Sequence, residues 1–428
     1  MKLAGVRVVV VGMARSGVAA VKLLHEEGAQ VTAVDQRAES LSLGFPVVPQ
    51  TADAFRGAEL VVLSPGVPAD LDLARGLRVI GDLELASWFL KGDIAGITGA
   101  NGKTTTTALT GHIMKESGIA SQVGGNIGTP PCSMVAASRD GQWNVLELSS
   151  FQLETTETFR ARVGAVLNVT PDHLDRHYTL ENYARIKGRL LENQRSGDVA
   201  VLNADDAITR TYTTRGNVQW FSSTQHVSPG AWLASGEVVV DGDVLMPASE
   251  IPLKGLHNVE NVMAAALIAR AAGAGLPKIR EAVKTFPGVE HRLEFVRELN
   301  GVAWYNDSKA TNVDATLKAI TAFSGNLWVI LGGKDKDSDY APLAGPMREK
   351  ARAALLIGAA AGKISAALKD SVELIQSGTI GAAVQEAKRR ARPGDVVLLA
   401  PACASFDQFE NFEHRGREFK RLVGELTG

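Results

Sequence analysis

The run Ile94-Ala-Gly-Ile-Thr-Gly-Ala-Asn-Gly-Lys103-Thr-Thr105 decides the reading of this chain. Its apolar start reads as a buried strand, Gly99-Ala100-Asn101-Gly102 as a tight turn, and Lys103 as the opening of a helix. A helix N-terminus and successive backbone amides then point at one spot, which favours a bound phosphate. In such a loop Lys103 reaches the β- and γ-phosphates, and a hydroxyl of Thr104 or Thr105 ligates Mg²⁺. Ile97 stands where the general phosphate loop has its first glycine, so this is a shorter Gly-x-x-Gly-Lys-Thr form. A chance Gly-Lys-Thr among 43 glycines is the competing reading, and the flanking strand and helix weigh against it.

Around this loop, 428 residues suggest roughly two to four domains. Hydrophobic content of 45% and charged content of 21% suit an α/β protein. A formal net charge of −2 leaves no basic excess for nucleic acid. No apolar run reaches the roughly 18 residues of a membrane span, and 6–11 is too short for a signal core. Cys132 and Cys403 form neither a disulfide framework nor a metal-spaced pair, and a cytoplasmic location is the expectation.

Residues 1–87 alternate strands (6–11, 30–34, 60–64) with a helix that ends before Gly28. The turn after the first strand has Ala14 in place of the middle glycine of Gly-x-Gly-x-x-Gly. Asp35 therefore reads equally as a ribose ligand or as a plain strand-end acid. Residues 88–288 hold the phosphate loop, strands at 145–149, 163–168 and 198–203, a hairpin over 230–247 and a helix over 257–272. Residues 289–428 return to alternation, with strands at 302–306, 327–331, 354–357, 372–375 and 396–400.

Glu147 is a lone acid in an apolar strand, so it neutralises, pairs with a base or binds a cation. Its place after a phosphate loop favours Mg²⁺. The loop Asp172-His-Leu-Asp-Arg-His177 leaves His173 open between metal ligand and solvated cap. Helical Lys187 reads as a solvated lysine. Asn306-Asp-Ser-Lys-Ala-Thr-Asn312, Leu331-Gly-Gly-Lys-Asp-Lys336 and Ala400-Pro-Ala-Cys-Ala-Ser-Phe-Asp407 each follow a strand, and together suggest a composite pocket at one sheet edge.

Jointly, Thr98–Thr104, Gly124-Gly-Asn-Ile-Gly128, Leu146–Gln152, Asn168–Asp175, His257–Asn261, His291-Arg292 and Asn306–Asn312 resemble the Mur ligase family of ATP-dependent amide ligases. Ser64-Pro-Gly66, Leu146–Gln152 and Ser405–Phe412 are most similar to its D-glutamate-adding branch. Relatives often carry Glu where Pro171 stands, which bears on the local loop shape. The resemblance implies three α/β domains: an N-terminal Rossmann-like domain for the UDP-sugar (1–87), a central P-loop ATPase-like domain (88–288) and a C-terminal Rossmann-like domain for the incoming amino acid (289–428). It implies that ATP phosphorylates the carboxylate of UDP-N-acetylmuramoyl-L-alanine and that D-glutamate attacks the acyl phosphate, in a protein that works as a monomer without membrane or nucleic acid.

The roles implied for single residues follow the same motifs. Gly99, Ala100, Asn101, Gly102, Lys103, Thr104 and Thr105 would hold the ATP phosphates, and Thr104, Thr105 and Glu147 the first Mg²⁺. His173 would ligate a second Mg²⁺ and approach the UDP-sugar. Lys187 would be carbamylated by CO₂ and lie near that second metal, against its reading as a solvated lysine. Asn258 and Asn261 would contact adenine, Arg292 and Asp307 the ribose or phosphates, and Lys309 the reacting centre. Arg15, Ser16, Asp35, Gln36, Arg37, Ser64, Asn126 and Ser149 would serve the UDP-sugar, with Asn126 at the transferring phosphate. Thr311, Lys336, Ser405 and Phe412 would surround D-glutamate.

Overall fold

A computed structural model describes residues 3–427. Three sheets follow one another along the chain. The first has β1 (Arg7–Val11), β2 (Gln30–Val34), β3 (Val47–Val48), β4 (Leu60–Leu63) and β5 (Val79–Gly81), ordered β3-β2-β1-β4-β5 and wholly parallel. The strand order reverses between β1 and β4, so a ligand crevice forms at their C-terminal ends. Helix α1 (Arg15–Glu26) follows β1 and ends at Gly28, whose φ of 77° provides the left-handed stop. Helix α2 (Asp82–Ser87) follows β5 directly.

The second sheet starts with β6 (Asp93–Thr98), β7 (Ser121–Gly125), β8 (Trp143–Glu147), β9 (Val163–Val166) and β10 (Val199–Asn203). It continues with β11 (Asn217–Ser222), β12 (Gly230–Ala234), β13 (Glu237–Val240) and β14 (Asp243–Pro247). The order is β14-β13-β12-β11-β10-β9-β6-β8-β7. Central β6 is buried on both faces between β8 and β9, which explains its unbroken apolar character. The expected single hairpin over 230–247 is two, because Gly236 and the Asp241-Gly242 turn each reverse the chain. The helices are α3 (Lys103–Glu116), α4 (Pro131–Met134), α5 (Ser150–Leu153), α6 (Leu174–His177), α7 (Leu180–Gly188), α8 (Leu256–Ala271) and α9 (Leu276–Thr285).

The third sheet has β15 (Glu294–Leu299), β16 (Val302–Asn306), β17 (Leu327–Gly332), β18 (Ala351–Ile357), β19 (Glu373–Gly378) and β20 (Val396–Leu399). Its order is β15-β16-β20-β17-β18-β19, with β15 alone antiparallel. By packing, the described residues fall into two compact units. One runs to Glu250 and includes Glu260–Phe286, thus holding the first two sheets; the other joins Ile251–Val259 to the chain from Pro287 onward.

Candidate active site

In the first unit, β6 feeds the loop 99–102 and α3 leaves it. Gly102 is the left-handed N-cap of α3 (φ 86°), and a Cβ there would strike Asn261 Oδ1. Glycine is required on both counts. Asn261, on α8, also accepts from Thr106 Oγ1 at 3.2 Å, so its side chain is set against the loop. Asn168, just past β9, fixes the other wall: its carbonyl accepts from Ala100 N (3.0 Å) and its Oδ1 from Asn101 N (2.8 Å). The first turn of α3 has no acidic side chain to offset its N-terminal partial charge. Thr104 and Thr105 lie buried in that turn, and Lys103 Nζ folds onto the carbonyls of Gly99 (2.8 Å) and Ala100 (2.9 Å).

Glu147 closes β8, in register with Ile97 of β6 and Gly125 of β7. It is 1% exposed; Oε1 accepts from Asn126 Nδ2 at 2.8 Å, whereas Oε2 has no hydrogen-bond partner. A buried carboxylate oxygen without a hydrogen-bond partner is a hard donor of the kind Mg²⁺ takes, and the buried hydroxyls of Thr104 and Thr105 in the first turn of α3 are of the same kind. The residues therefore fit the cation inferred from sequence.

Lys187 is 1% exposed on the inner face of α7, with Tyr183 and Ile186. This corrects its reading as a solvated lysine: the helix turns that face toward the loop. Nζ donates to Gly99 O at 2.9 Å, the carbonyl that also accepts from Lys103, and sits 4.4 Å from the Tyr183 ring centroid. Burial first, then the charge of Lys103, holds its pKa well below the ordinary lysine value, against a smaller opposing pull from Asp172. Two ammonium groups on one buried carbonyl are electrostatically costly; a neutral or anionic Lys187 removes the conflict.

His173 has φ 52° and is the N-cap of α6. Its side chain is 42% exposed, with Nε2 3.6 Å from Asp172 Oδ2 and its ring edge-on to Phe151 at 4.9 Å. Behind it His177 is fully buried, bonded through Nε2 to Ser150 Oγ at 2.9 Å.

The ends of β1, β2 and β4 form a second cradle in the same unit. Ser64 Oγ donates to Gly12 O at 2.6 Å, and a Cβ at Gly17 would collide with that same carbonyl. Asp35 accepts from Met13 N (2.7 Å) and Arg37 N (2.8 Å). Burial pushes its pKa up, but these amides and the Arg37 guanidinium win and hold it below the usual carboxylate value. Gln36 and Arg37 are exposed, Ser16 half-buried, and Arg15 Nη2 donates to Gly128 O. Ser149 caps α5 in a reciprocal box with Gln152.

In the second unit the three polar turns converge as expected, because β16, β20 and β17 are neighbours. Asp307 is 1% exposed, with Arg292 Nη1 3.6 Å from an Oδ1 that has no hydrogen bond. Burial raises its pKa to about 6 against Arg292, the Leu293 amide and Lys309. Lys309 Nζ lies 5.4 Å from the Phe412 ring centroid. Asn258 is buried, with Nδ2 donating to Lys254 O at 2.6 Å. Thr311 N is held by Lys309 O at 2.8 Å, Ser405 is buried in the turn after β20, and Lys336 is exposed in the turn after β17. Sequence reasoning missed Arg415. It is 1% exposed and donates to Ser308 O (2.8 Å), Ser308 Oγ (2.9 Å), Cys403 O (3.2 Å) and Ala404 O (3.3 Å), tying two of these turns together.

A glycine-rich loop on a helix N-terminus, with a buried acid at the next strand end, defines a nucleoside-triphosphate-binding α/β protein. Residues 97–269 match the Mur ligase middle domain and residues 291–403 the Mur ligase glutamate ligase domain. The chain belongs to the Mur ligase family. It is 59% identical to the UDP-N-acetylmuramoylalanine--D-glutamate ligase of Solibacter usitatus, over 100% of this chain and 99% of that one. It is 50% identical to the ligase of the same name from Acidobacterium capsulatum, over 99% and 97%. Among solved structures it is similar to the UDP-N-acetylmuramate-alanine ligase MurC of Thermotoga maritima (TM-score 0.64, 20% identity, 98% and 99% covered). It is also similar to the MurF ligase of the same organism in complex with ADP (TM-score 0.62, 17% identity, 99% and 96% covered). At these identities the structural matches establish the fold, the three-domain arrangement of the family.

Proposed function

We infer that this chain joins D-glutamate to UDP-N-acetylmuramoyl-L-alanine at the expense of ATP, a step in building peptidoglycan precursors. The likeness to D-glutamate ligases along the whole chain carries this reading. In it, the N-terminal sheet (1–87) takes the UDP-sugar, the central sheet (88–288) ATP, and the C-terminal sheet (289–428) D-glutamate. No helix of the described residues is long and apolar enough to cross a membrane. ATP and a nucleotide-sugar as substrates suit a cytoplasmic location, and we propose that the chain acts as a monomer.

The substrate carboxylate oxygen attacks the γ-phosphorus and ADP leaves. The D-glutamate amine then attacks the acyl carbon and phosphate leaves with one former carboxylate oxygen. Lys103 and the amides of the loop 99–105 offset the charge as one anion approaches another. Glu147, Thr104 and Thr105 would hold one Mg²⁺, and His173 with carbamylated Lys187 a second, supplying further charge neutralisation when bound. The depressed Lys187 pKa supports carbamylation, because only the neutral amine adds CO₂, and the carbamate would answer the charge of Lys103. Asn258 and Asn261 would bind adenine, with Arg292 and Asp307 on ribose or phosphate. Asn126 would reach the transferring phosphate, Lys309 the reacting centre, and Thr311, Lys336, Ser405 and Phe412 would bind D-glutamate.

A substrate panel tests the reading. Phosphate release is expected only when ATP, UDP-N-acetylmuramoyl-L-alanine and D-glutamate are all present. Equal turnover with L-alanine on UDP-N-acetylmuramate, or with meso-diaminopimelate, would place the chain in another branch. ATP binding without turnover on any substrate would mark an inactive scaffold.

A further inference from the structure

Asp82, the first residue of α2, is 1% exposed, and neither carboxylate oxygen has a hydrogen-bond partner. A buried acid left so calls for a reason. It lies where α2 packs against α1, α4 and α5. The packing brings α1, which carries Ser16, and α5, which carries Gln152, against α2, and both residues lower the Asp82 pKa against its burial. Each belongs to the candidate site: Ser16 stands in the cradle after β1, and Gln152 Oε1 accepts from Ser149 N at 3.1 Å.

We propose that Asp82 is a positioning residue of the nucleotide-sugar cradle that holds a proton when the anionic substrate is bound. This rests on the UDP-sugar reading of that cradle. The protonated acid donates to Ser16 Oγ, which leaves the Ser16 hydroxyl proton for the diphosphate. The ionised acid instead claims that proton and adds a negative charge behind the site. Burial raises Asp82 to about 6, against the pull of Ser16, the Leu83 amide and Gln152. A bound dianion raises it further, so the complex takes up a proton from solvent and affinity falls as pH rises. Among neighbouring elements, α4 presents Cys132, whose thiol burial and Asp82 push up, and α5, β4 and β5 present no titratable group. On α1 the Arg15 guanidinium is engaged by Gly128 O, and Lys22, His25 and Glu26 lie further along the helix. On α2 itself, Glu84 is held by Thr158, Trp88 and the amides of 157–159.

Titration calorimetry with UDP-N-acetylmuramoyl-L-alanine, in two buffers of different ionisation enthalpy, tests this. The wild-type Kd is expected to weaken about fivefold between pH 6 and pH 8, with proton uptake near neutrality. Asp82→Asn, a permanent donor of the same shape, is expected to bind with a Kd flat within about twofold and to lose that uptake. Asp82→Ala loses affinity at both pH values. Ser16→Ala, which leaves the buried acid and its charge in place but removes the hydroxyl it acts through, is expected to reduce the slope without abolishing it, and checks the proposal if Asp82→Asn fails to fold. The same slope and uptake in wild type, Asp82→Asn and Ser16→Ala would overturn the Asp82 role alone. Absence of wild-type binding at any pH would overturn the UDP-sugar reading and the proposal with it.

Discussion

Lys187→Met is expected to lower kcat by on the order of 10²–10³-fold, the loss typical of one preorganised charge at a reacting centre. The substitution preserves length and apolar packing and removes the amine that would add CO₂. Stability is expected to hold or rise, because replacing a buried charge by a packed apolar side chain is often neutral or favourable. The sign of the pH effect separates the two readings of Lys187. Its folded pKa is depressed, so the unfolded chain binds more protons above that value. Uncarbamylated protein therefore gains stability as pH rises toward the ordinary lysine pKa, a gain absent from Lys187→Met. Stripping CO₂ from the wild type should remove activity, and bicarbonate should restore it. Wild-type turnover in Lys187→Met would exclude the carbamate.

Glu147→Gln is expected to raise the Mg²⁺ concentration for half-maximal turnover by about 10²-fold or more. The change keeps the shape of the strand end and exchanges the orphaned Oε2 anion for a neutral amide. Glu147 is in register with β6 and β7, so the backbone keeps its place and the effect reports on charge. Titrating MgCl₂ at fixed ATP measures it. An unchanged Mg²⁺ midpoint would make Glu147 a purely structural partner of Asn126.

The phosphate loop and the three sheets were legible because period and punctuation coincide there: β6 is buried on both faces and Gly102 must be left-handed. Strand ends shifted by a few residues, as with β8, read as 145–149 and found as Trp143–Glu147. The antiparallel edge strand β15 was not legible, since its alternating Glu294–Leu299 side chains carry no buried run. Lys187 was invisible to residue rules because a lysine on an amphipathic helix is ordinarily solvated, and only the family resemblance pointed inward. Asp82 and Arg415 gave no signal either. Their surroundings come from distant segments, so only the folded chain discloses an acid without a hydrogen-bond partner or a guanidinium satisfied by three carbonyls and a serine hydroxyl.

In the proposed reaction ATP activates the carboxylate of the sugar-peptide for amide formation. Oxygen tracing tests it most directly, using UDP-N-acetylmuramoyl-L-alanine labelled with ¹⁸O in its terminal carboxylate, together with ATP and D-glutamate. Mass analysis of the products is predicted to find one ¹⁸O in each released phosphate and the other in the new amide. Phosphate free of label, with ATP consumed, would mean that water takes the phosphoryl group and that the carboxylate is not activated.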